Sequence, residues 1–342
     1  MNNKYKKLKS YSVSCALFVA LNIVALAPAQ AREMRVSSFE PAQGFYSLVL
    51  STWVEQANER LSKGSRFKLY PGSILGAPSA QQELVKKGVA DVALIVQSYS
   101  PGLFPLTSVV EVPGIAPTSK QGTNVLNSLL ESGDLAGEYK EFKVIALFST
   151  HGYRILSSKK EVRLPTDLEG MKIRTPSPYG SVLISMLGGS GVSIPAPQVY
   201  ENLDRGVIGG AIWVFDAYKS FRLNEVAPQV TMTELTASPL AIVMNKSTYE
   251  SLSDADKSVI DQMSGRAQSE WIANIIDQYD TDQAAYFDKN PDVNLIKLTE
   301  AEEAQWTRAL SGSADAWLDM QKGFDKDGSA ALNKAREISL AK

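Results

Sequence analysis

The chain is poor in the two residue types that most often carry chemistry. Of its 342 residues one is cysteine and one is histidine. Cys15 lies in an apolar N-terminal stretch, so the sequence from Arg32 onward has no thiol. That excludes disulfides, thiolate metal ligands and thiol nucleophiles from it. With His151 alone there is no two-histidine zinc motif, and no Ser-His-Asp triad can form without that residue. Neither G-x-x-x-x-G-K-[ST] nor G-x-S-x-G occurs. Gly188-Gly189-Ser190-Gly191 contains a Gly-x-Gly, but Ile194 stands where the last glycine of G-x-G-x-x-G would be and the segment follows a helical stretch, so it reads as a turn. Asp325-x-Asp327-Gly328 lacks the later ligands of a calcium loop and reads as a solvated turn. No metal, no cofactor and no catalytic residue is expected.

Excess positive charge is also absent. The sequence holds 35 basic and 37 acidic residues, and four of the lysines (Lys4, Lys6, Lys7, Lys9) precede the apolar stretch. Leaving those out gives 31 against 37, a net of −6. Such a balance carries no footprint for nucleic acid or for an anionic membrane. Any anion this acidic chain binds must therefore meet cations gathered in a cleft.

Long apolar runs are missing except at the start. The four lysines, an apolar run from about Val13 to Leu26 and the Ala29-Gln30-Ala31 end have the form of a secretory signal peptide. The run is shorter than the roughly 20 residues a membrane span needs. Residues 1–31 are expected to be removed on export, leaving a soluble periplasmic protein with no membrane insertion of its own.

What is present is an alternation of helix and strand. Tyr46, Val49, Leu50, Trp53, Val54, Ala57 and Leu61 are spaced for a helix. Strands are expected at 66–70, 92–96, 144–148, 171–174, 192–194, 207–213 and 241–244. Helices are expected from a Ser79-x-x-Gln82 capping box, over 121–139, over 254 to about 288, and after a second box at Thr299-x-x-Glu302. The helix over 254–288 would be roughly 50 Å long, enough to brace two lobes. Strands separated by helices imply α/β architecture with mainly parallel sheets.

Several segments carry a resemblance in a fixed order. They are Pro71-Gly72-Ser73-Ile74-Leu75-Gly76, Glu83-Leu84-Val85-Lys86-Lys87-Gly88-Val89-Ala90-Asp91, Tyr99-Ser100-Pro101-Gly102-Leu103-Phe104-Pro105 and Glu111-Val112-Pro113-Gly114. Leu168-Glu169-Gly170-Met171-Lys172-Ile173-Arg174-Thr175-Pro176-Ser177 is the strongest, followed by the stretch from Pro197 to Ala211 and Val243-Met244-Asn245-Lys246. Together they resemble the DctP-like substrate-binding proteins of tripartite ATP-independent periplasmic (TRAP) transporters. The resemblance spans nearly the whole sequence after the leader.

It implies a two-lobed periplasmic-binding-protein fold with mixed, mainly parallel sheets, crossing hinge strands and a long bridging helix. Lobe 1 is expected at 32–151 plus about 240–279, and lobe 2 at 152–239 plus about 280–342. It also implies binding of a small organic carboxylate by hinge closure, delivery to TRAP membrane permease subunits, and no enzymatic activity. Arg174 takes the place of the arginine that clamps the acid group, and Arg154, in Gly152-Tyr153-Arg154, matches a second arginine found in many members. By itself an arginine at a strand end reads as a surface ion pair. A guanidinium, however, presents a planar fork to a carboxylate and keeps its charge on burial.

Two departures bear on the ligand. Gly209-Gly210 stands where the family commonly has Asp-Gly, and Trp213 where some members have an asparagine that contacts polar substrates. Trp213 and Phe215 in the cleft would suit an aromatic or branched-chain acid, with Asp216 facing a hydroxyl or a bridging cation. Ser177, and Phe39, Gln97 and Tyr99 after strands of the first lobe, complete the expected lining. His151, just past a buried strand, is expected to line the pocket or shape the hinge. A sensor subunit of the same fold and, further off, a periplasmic enzyme are the alternative readings.

Overall fold

The computed structural model describes residues 32–341, so the expected leader lies outside the described residues. Eleven strands occur in chain order: β1 (Arg32–Ser37), β2 (Ser65–Tyr70), β3 (Val92–Val96), β4 (Phe142–Ser149), β5 (Arg154–Ser157), β6 (Lys172–Thr175), β7 (Ser190–Ser193), β8 (Gly210–Trp213), β9 (Gln229–Thr231), β10 (Pro239–Asn245) and β11 (Asn294–Ile296). They form a five-stranded sheet of order β2-β1-β3-β10-β4 and a six-stranded sheet of order β11-β9-β5-β8-β6-β7. Each is the centre of a lobe. All five residues of β3 are buried, as an uninterrupted apolar run on a strand covered on both faces requires.

The sheets are mixed because the chain crosses between lobes. β10 is antiparallel to β3 and β4, and β5 is antiparallel to β8 and β9. These reversed strands follow the two crossings, residues 150–153 and 232–238. The crossings are hydrogen-bonded to each other. Thr150 and Tyr153 donate their N–H groups to the carbonyls of Ser238 and Thr236 at 2.9 and 2.7 Å, and Leu235 returns one to Tyr153 at 3.0 Å. Gly152 is needed there: a Cβ would lie 3.0 Å from Glu234 Cβ and 3.1 Å from the Pro117 carbonyl oxygen.

Helix Phe45–Arg60 buries its expected face, including Val49, Leu50, Trp53 and Ala57. At Thr299 the capping box is complete, with Thr299 Oγ1 accepting from the Glu302 N–H and Glu302 accepting from the Thr299 N–H. Other expectations are corrected. Ser79 caps nothing; it sits inside the tight turn Pro78–Ala80, and Gln82 bonds its carbonyl instead. The stretch 121–139 breaks after Glu131 at Gly133, which has φ 89°. Val207 and Ile208 are not strand residues, since their N–H groups close a turn on the Asn202 carbonyl.

The single helix expected over 254–288 is two, Asp254–Gln262 and Arg266–Phe287. Gly265 turns to φ 84° and gives its N–H to the Ile145 carbonyl of β4. The second piece, 22 residues and so about 33 Å long, still spans the lobes. It packs on helix Ser119–Glu131 and β4 of lobe 1 and on the short helix Phe215–Tyr218 of lobe 2. Helix Glu300–Ala309 stays with lobe 2; Ser313–Gly323 packs on helix Pro178–Met186 of lobe 2 while its Trp317 donates to Ser108 of lobe 1 at 2.8 Å, and Ser329–Leu340 packs against Ser119–Glu131. The end of the chain therefore returns to lobe 1 rather than remaining in lobe 2 as expected. Among the described residues no helix is long and apolar enough to cross a membrane.

Candidate functional site

A cavity lies between the lobes, at the carboxyl ends of parallel strands, where open α/β sheets form their crevices. Phe39 follows β1, Tyr99 follows β3, Arg174 sits near the end of β6, Trp213 ends β8 and Asp216 comes three residues later; all five line the cavity. The local sequence explains the placement of Arg174. Pro176 cannot donate to a ladder and so ends β6, and Ser177 then caps helix Pro178–Met186 by accepting the Gly180 N–H at 2.9 Å.

Arg174 is 2% exposed, yet it has no carboxylate partner among the described residues. Its Nε donates to the Ile194 carbonyl at 2.7 Å, one terminal nitrogen to the Ile212 carbonyl at 3.2 Å, and the other to the Tyr99 hydroxyl at 3.4 Å. Its guanidinium carbon lies 4.6 Å from the centre of the Trp213 ring. Carbonyls and a π face orient the group without neutralising it. Burial opposes its charge and lowers its pKa, so the site holds a positive charge that an incoming anion would stabilise.

Arg154 is placed differently. Equally buried, it is paired with Asp280 at 2.5 Å and bonded to the Gly152 carbonyl at 2.8 Å, away from the cavity. The Phe215 ring lies against it, 4.6 Å from the guanidinium, and stacks on Phe287 at 5.7 Å, so Phe215 is core rather than wall. His151 touches the same pair, with Nδ1 3.3 Å from Arg154 and Nε2 3.7 Å from Asp280. Burial, then the Arg154 charge, pushes its pKa down to about 4. It is a neutral brace at the crossing. Gln97 is also absent from the cavity, its amide donating to the Tyr139 hydroxyl at 2.8 Å.

Ser177 lies outside the cavity too, and it joins the two lobes instead. Its hydroxyl donates to Glu111 of lobe 1, which also accepts from Ser98 at 2.6 Å, while the Glu111 carbonyl accepts from Thr236 in a crossing segment. Burial raises the Glu111 carboxyl to about 7, against the opposing effect of the two serine bonds. One buried residue thus ties the lobes to each other through its carboxyl and to the hinge through its backbone carbonyl.

Cavity residues not expected from the sequence include Glu40, Tyr46, Tyr153 and Phe221. Tyr46 reads as one more apolar position of a helix, but its hydroxyl crosses to Asp216 at 2.7 Å. Glu40 accepts the N–H groups of Tyr46 and Ser47 at the start of that helix. Burial, with Asp216 as second cause, raises the Glu40 carboxyl to about 8; burial raises Asp216 to about 7. The only clue to Glu40 was its position just beyond the first strand. Among the described residues no cluster suited to a metal ion occurs.

The profile of the bacterial extracellular solute-binding proteins of family 7, the DctP family, matches residues 37–319. The chain belongs to that family. DctP proteins are binding proteins for transport, not enzymes. The 2,3-diketo-L-gulonate-binding periplasmic protein YiaO of Escherichia coli K12 is 24% identical over 326 residues, covering 93% of this chain and 97% of its own. A TRAP solute-binding protein from a marine metagenome, specific for aromatic acids and solved with 3-hydroxybenzoate, is 25% identical. It superposes with a TM-score of 0.86 over 91% of this chain and 98% of its own. One from Rhodoferax ferrireducens with copurified benzoate shares the fold, at 21% identity and a TM-score of 0.84, covering 90% and 97%. The two-lobed fold is that of TRAP periplasmic binding proteins.

Proposed function

We propose that this DctP protein is the periplasmic component of a TRAP transporter that captures a small organic acid, aromatic or branched-chain, by closing its lobes with Arg174 on the carboxylate. The observation that carries the reading is a buried guanidinium without a carboxylate partner, held by carbonyls and an indole face in a cavity of mostly apolar and aromatic wall. Such a group favours the state in which an anion is present. The aromatic wall of Phe39, Tyr99, Trp213 and Phe221 fits a flat or branched body, and the ligands of the metagenome and Rhodoferax proteins support an aryl acid.

Closure is a population shift, since a ligand touching both lobes prefers the closed state. The N-terminal leader directs export and is cleaved, and the loaded, closed form docks on the membrane permease subunits. Calorimetric titration with aryl and branched-chain carboxylates tests the reading. Binding is expected for the wild type, with a loss of about 2–5 kcal/mol in Arg174→Met. Unchanged affinity in that variant sinks the assignment.

A further inference from the structure

We propose that Glu111 and Ser177 form a latch behind the ligand cavity that takes up a proton as the lobes close, so that acidification favours the closed protein. This rests on lobe closure as the reading of the cavity. Glu111 ends the segment Thr107–Glu111 of lobe 1 and is 2% exposed. Its Oε2 accepts from Ser177, at the start of helix Pro178–Met186 of lobe 2. Its Oε1 accepts from Ser98 at 2.6 Å, and no cation among the described residues pairs with it. A carboxyl buried without a cation is costly to ionise. Because this one is sealed between the lobes, that cost belongs to the closed state.

A file of hydroxyl groups joins the latch to the cavity. Tyr153, which lines the cavity, donates to Ser238 at 2.8 Å, and Ser238 Oγ stands 3.4 Å from Ser98 Oγ. Tyr153, Ser238, Ser98, Glu111 and Ser177 are all buried. The file runs from the cavity through a crossing segment into lobe 1 and on into lobe 2. Each hydroxyl has a single proton to give, so the file is complete when each member donates to the next and Glu111 accepts from both sides. Separating the lobes takes Ser177 away and lets water replace it. The carboxyl is then solvated and ionises in its ordinary range, and closing strips that water again.

The sign of the coupling follows from the burial that raises the carboxyl to about 7 against the two serine bonds. A group raised in the closed state favours closure fully below its ordinary value of 4.5 and loses that effect as pH rises through about 7. Its neighbours do not blur this. Tyr179 of helix Pro178–Met186 feels the Glu111 charge, but burial raises its phenol far above neutrality. Tyr99 is turned to Arg174, and Glu138 is held at the far end of the segment by Leu106 and Thr107. On the helices packed against 107–111, Lys120, Glu131, Arg336 and Glu337 are exposed, and Lys334 pairs with Asp134 at 2.8 Å. Glu40 and Asp216 in the cavity are also raised by burial and act with the same sign, so the share of Glu111 is read by difference.

Small-angle scattering of the ligand-free protein at about pH 5.5 and about pH 8.5, on wild type, Glu111→Gln and Ser177→Gly, tests the latch. In wild type the ratio of closed to open molecules is expected to fall on the order of tenfold between the two, read as a larger radius of gyration at the higher pH. Glutamine is isosteric and neutral at both values, so Glu111→Gln is expected to stay compact at the higher pH, with most of the change gone. Ser177→Gly keeps a competent helix start and is expected to be more open than wild type at both values. A wild-type profile that does not change with pH overturns the inference. An equal change in wild type and Glu111→Gln overturns the role of Glu111, because a merely structural role displaces both values alike. Wild-type compactness of Ser177→Gly at both values overturns the latch. None of these readings needs a ligand, so failure of aryl acids to bind counts against the proposed function alone, and loss of the latch leaves carboxylate capture standing.

Discussion

The Tyr46 hydroxyl of lobe 1 donates to Asp216 of lobe 2 across 2.7 Å, closing the cavity with a bond that belongs to neither lobe. Replacing Tyr46 with phenylalanine keeps the ring and strands the Asp216 oxygen that accepts this bond, at a cost of about 1–3 kcal/mol. That cost falls on the closed arrangement, because opening lets water reach the carboxylate. Tyr46→Phe is expected to shift the ligand-free protein toward an expanded form in small-angle scattering and to weaken binding. An unchanged scattering profile and affinity would show that the bond does not hold the lobes.

Arg154 and Arg174 are equally buried but oppositely committed, so they make a matched pair of tests. Arg154→Met leaves Asp280 buried without its cation and is expected to lower unfolding free energy by about 3–5 kcal/mol in urea titration. Because that guanidinium is already paired, ligand affinity should stay within about 1.4 kcal/mol, a factor of ten. Arg174→Met should show the reverse pattern, with binding lost and the fold retained.

Glu111 gives a pH dependence with a definite sign. Its carboxyl is raised in the folded protein from an ordinary 4.5 to about 7. Between those values the folded state holds a proton that the unfolded chain has released, so stability falls as pH rises. The contribution is full below pH 4.5 and lost on passing through about 7. The difference in melting temperature between wild type and Glu111→Gln should decline across that window. His151, lowered to about 4 by burial and Arg154, acts with the opposite sign from 4 to 6.5 and cancels in the difference.

Gly210→Ala should destabilise lobe 2. A Cβ there would stand 2.3 Å from the Leu156 carbonyl oxygen, which is backbone and cannot swing aside. Parting β5 from β8 is expected to cost about 1–3 kcal/mol, read as a lower urea midpoint. Gly209→Ala, whose nearest contacts begin at 3.6 Å, is the control.

Much of this architecture was legible where a local rule suffices. β3 was readable because five buried apolar residues admit few alternatives, and the Thr299 box because both its partners are three residues apart. Arg174 was readable only through its resemblance, since nothing local distinguishes a clamp from a surface ion pair. Arg154 misled for the same reason: its partner Asp280 is 126 residues away. Tyr46 and Ser177 bind across the cleft, and no periodicity encodes a contact between lobes. The break at Gly265 was hidden because Val259, Met263, Ala267, Trp271 and Ile275 keep helical spacing across it, while the glycine's N–H is claimed by β4.

The position of β10 between β3 and β4 has a consequence for how the polypeptide comes together. A chain delivered N-terminus first presents β3 and β4 with a gap between them, and the strand that fills it ends only at Asn245. Until then both carry unsatisfied edges, which are templates for wrong pairing. The first sheet therefore cannot close before β5 to β9 of the second have been delivered, and the bonded crossings at 150–153 and 232–238 form at the same late step. Delivery interrupted before Asn245 leaves those edges unpaired and the molecule prone to aggregation.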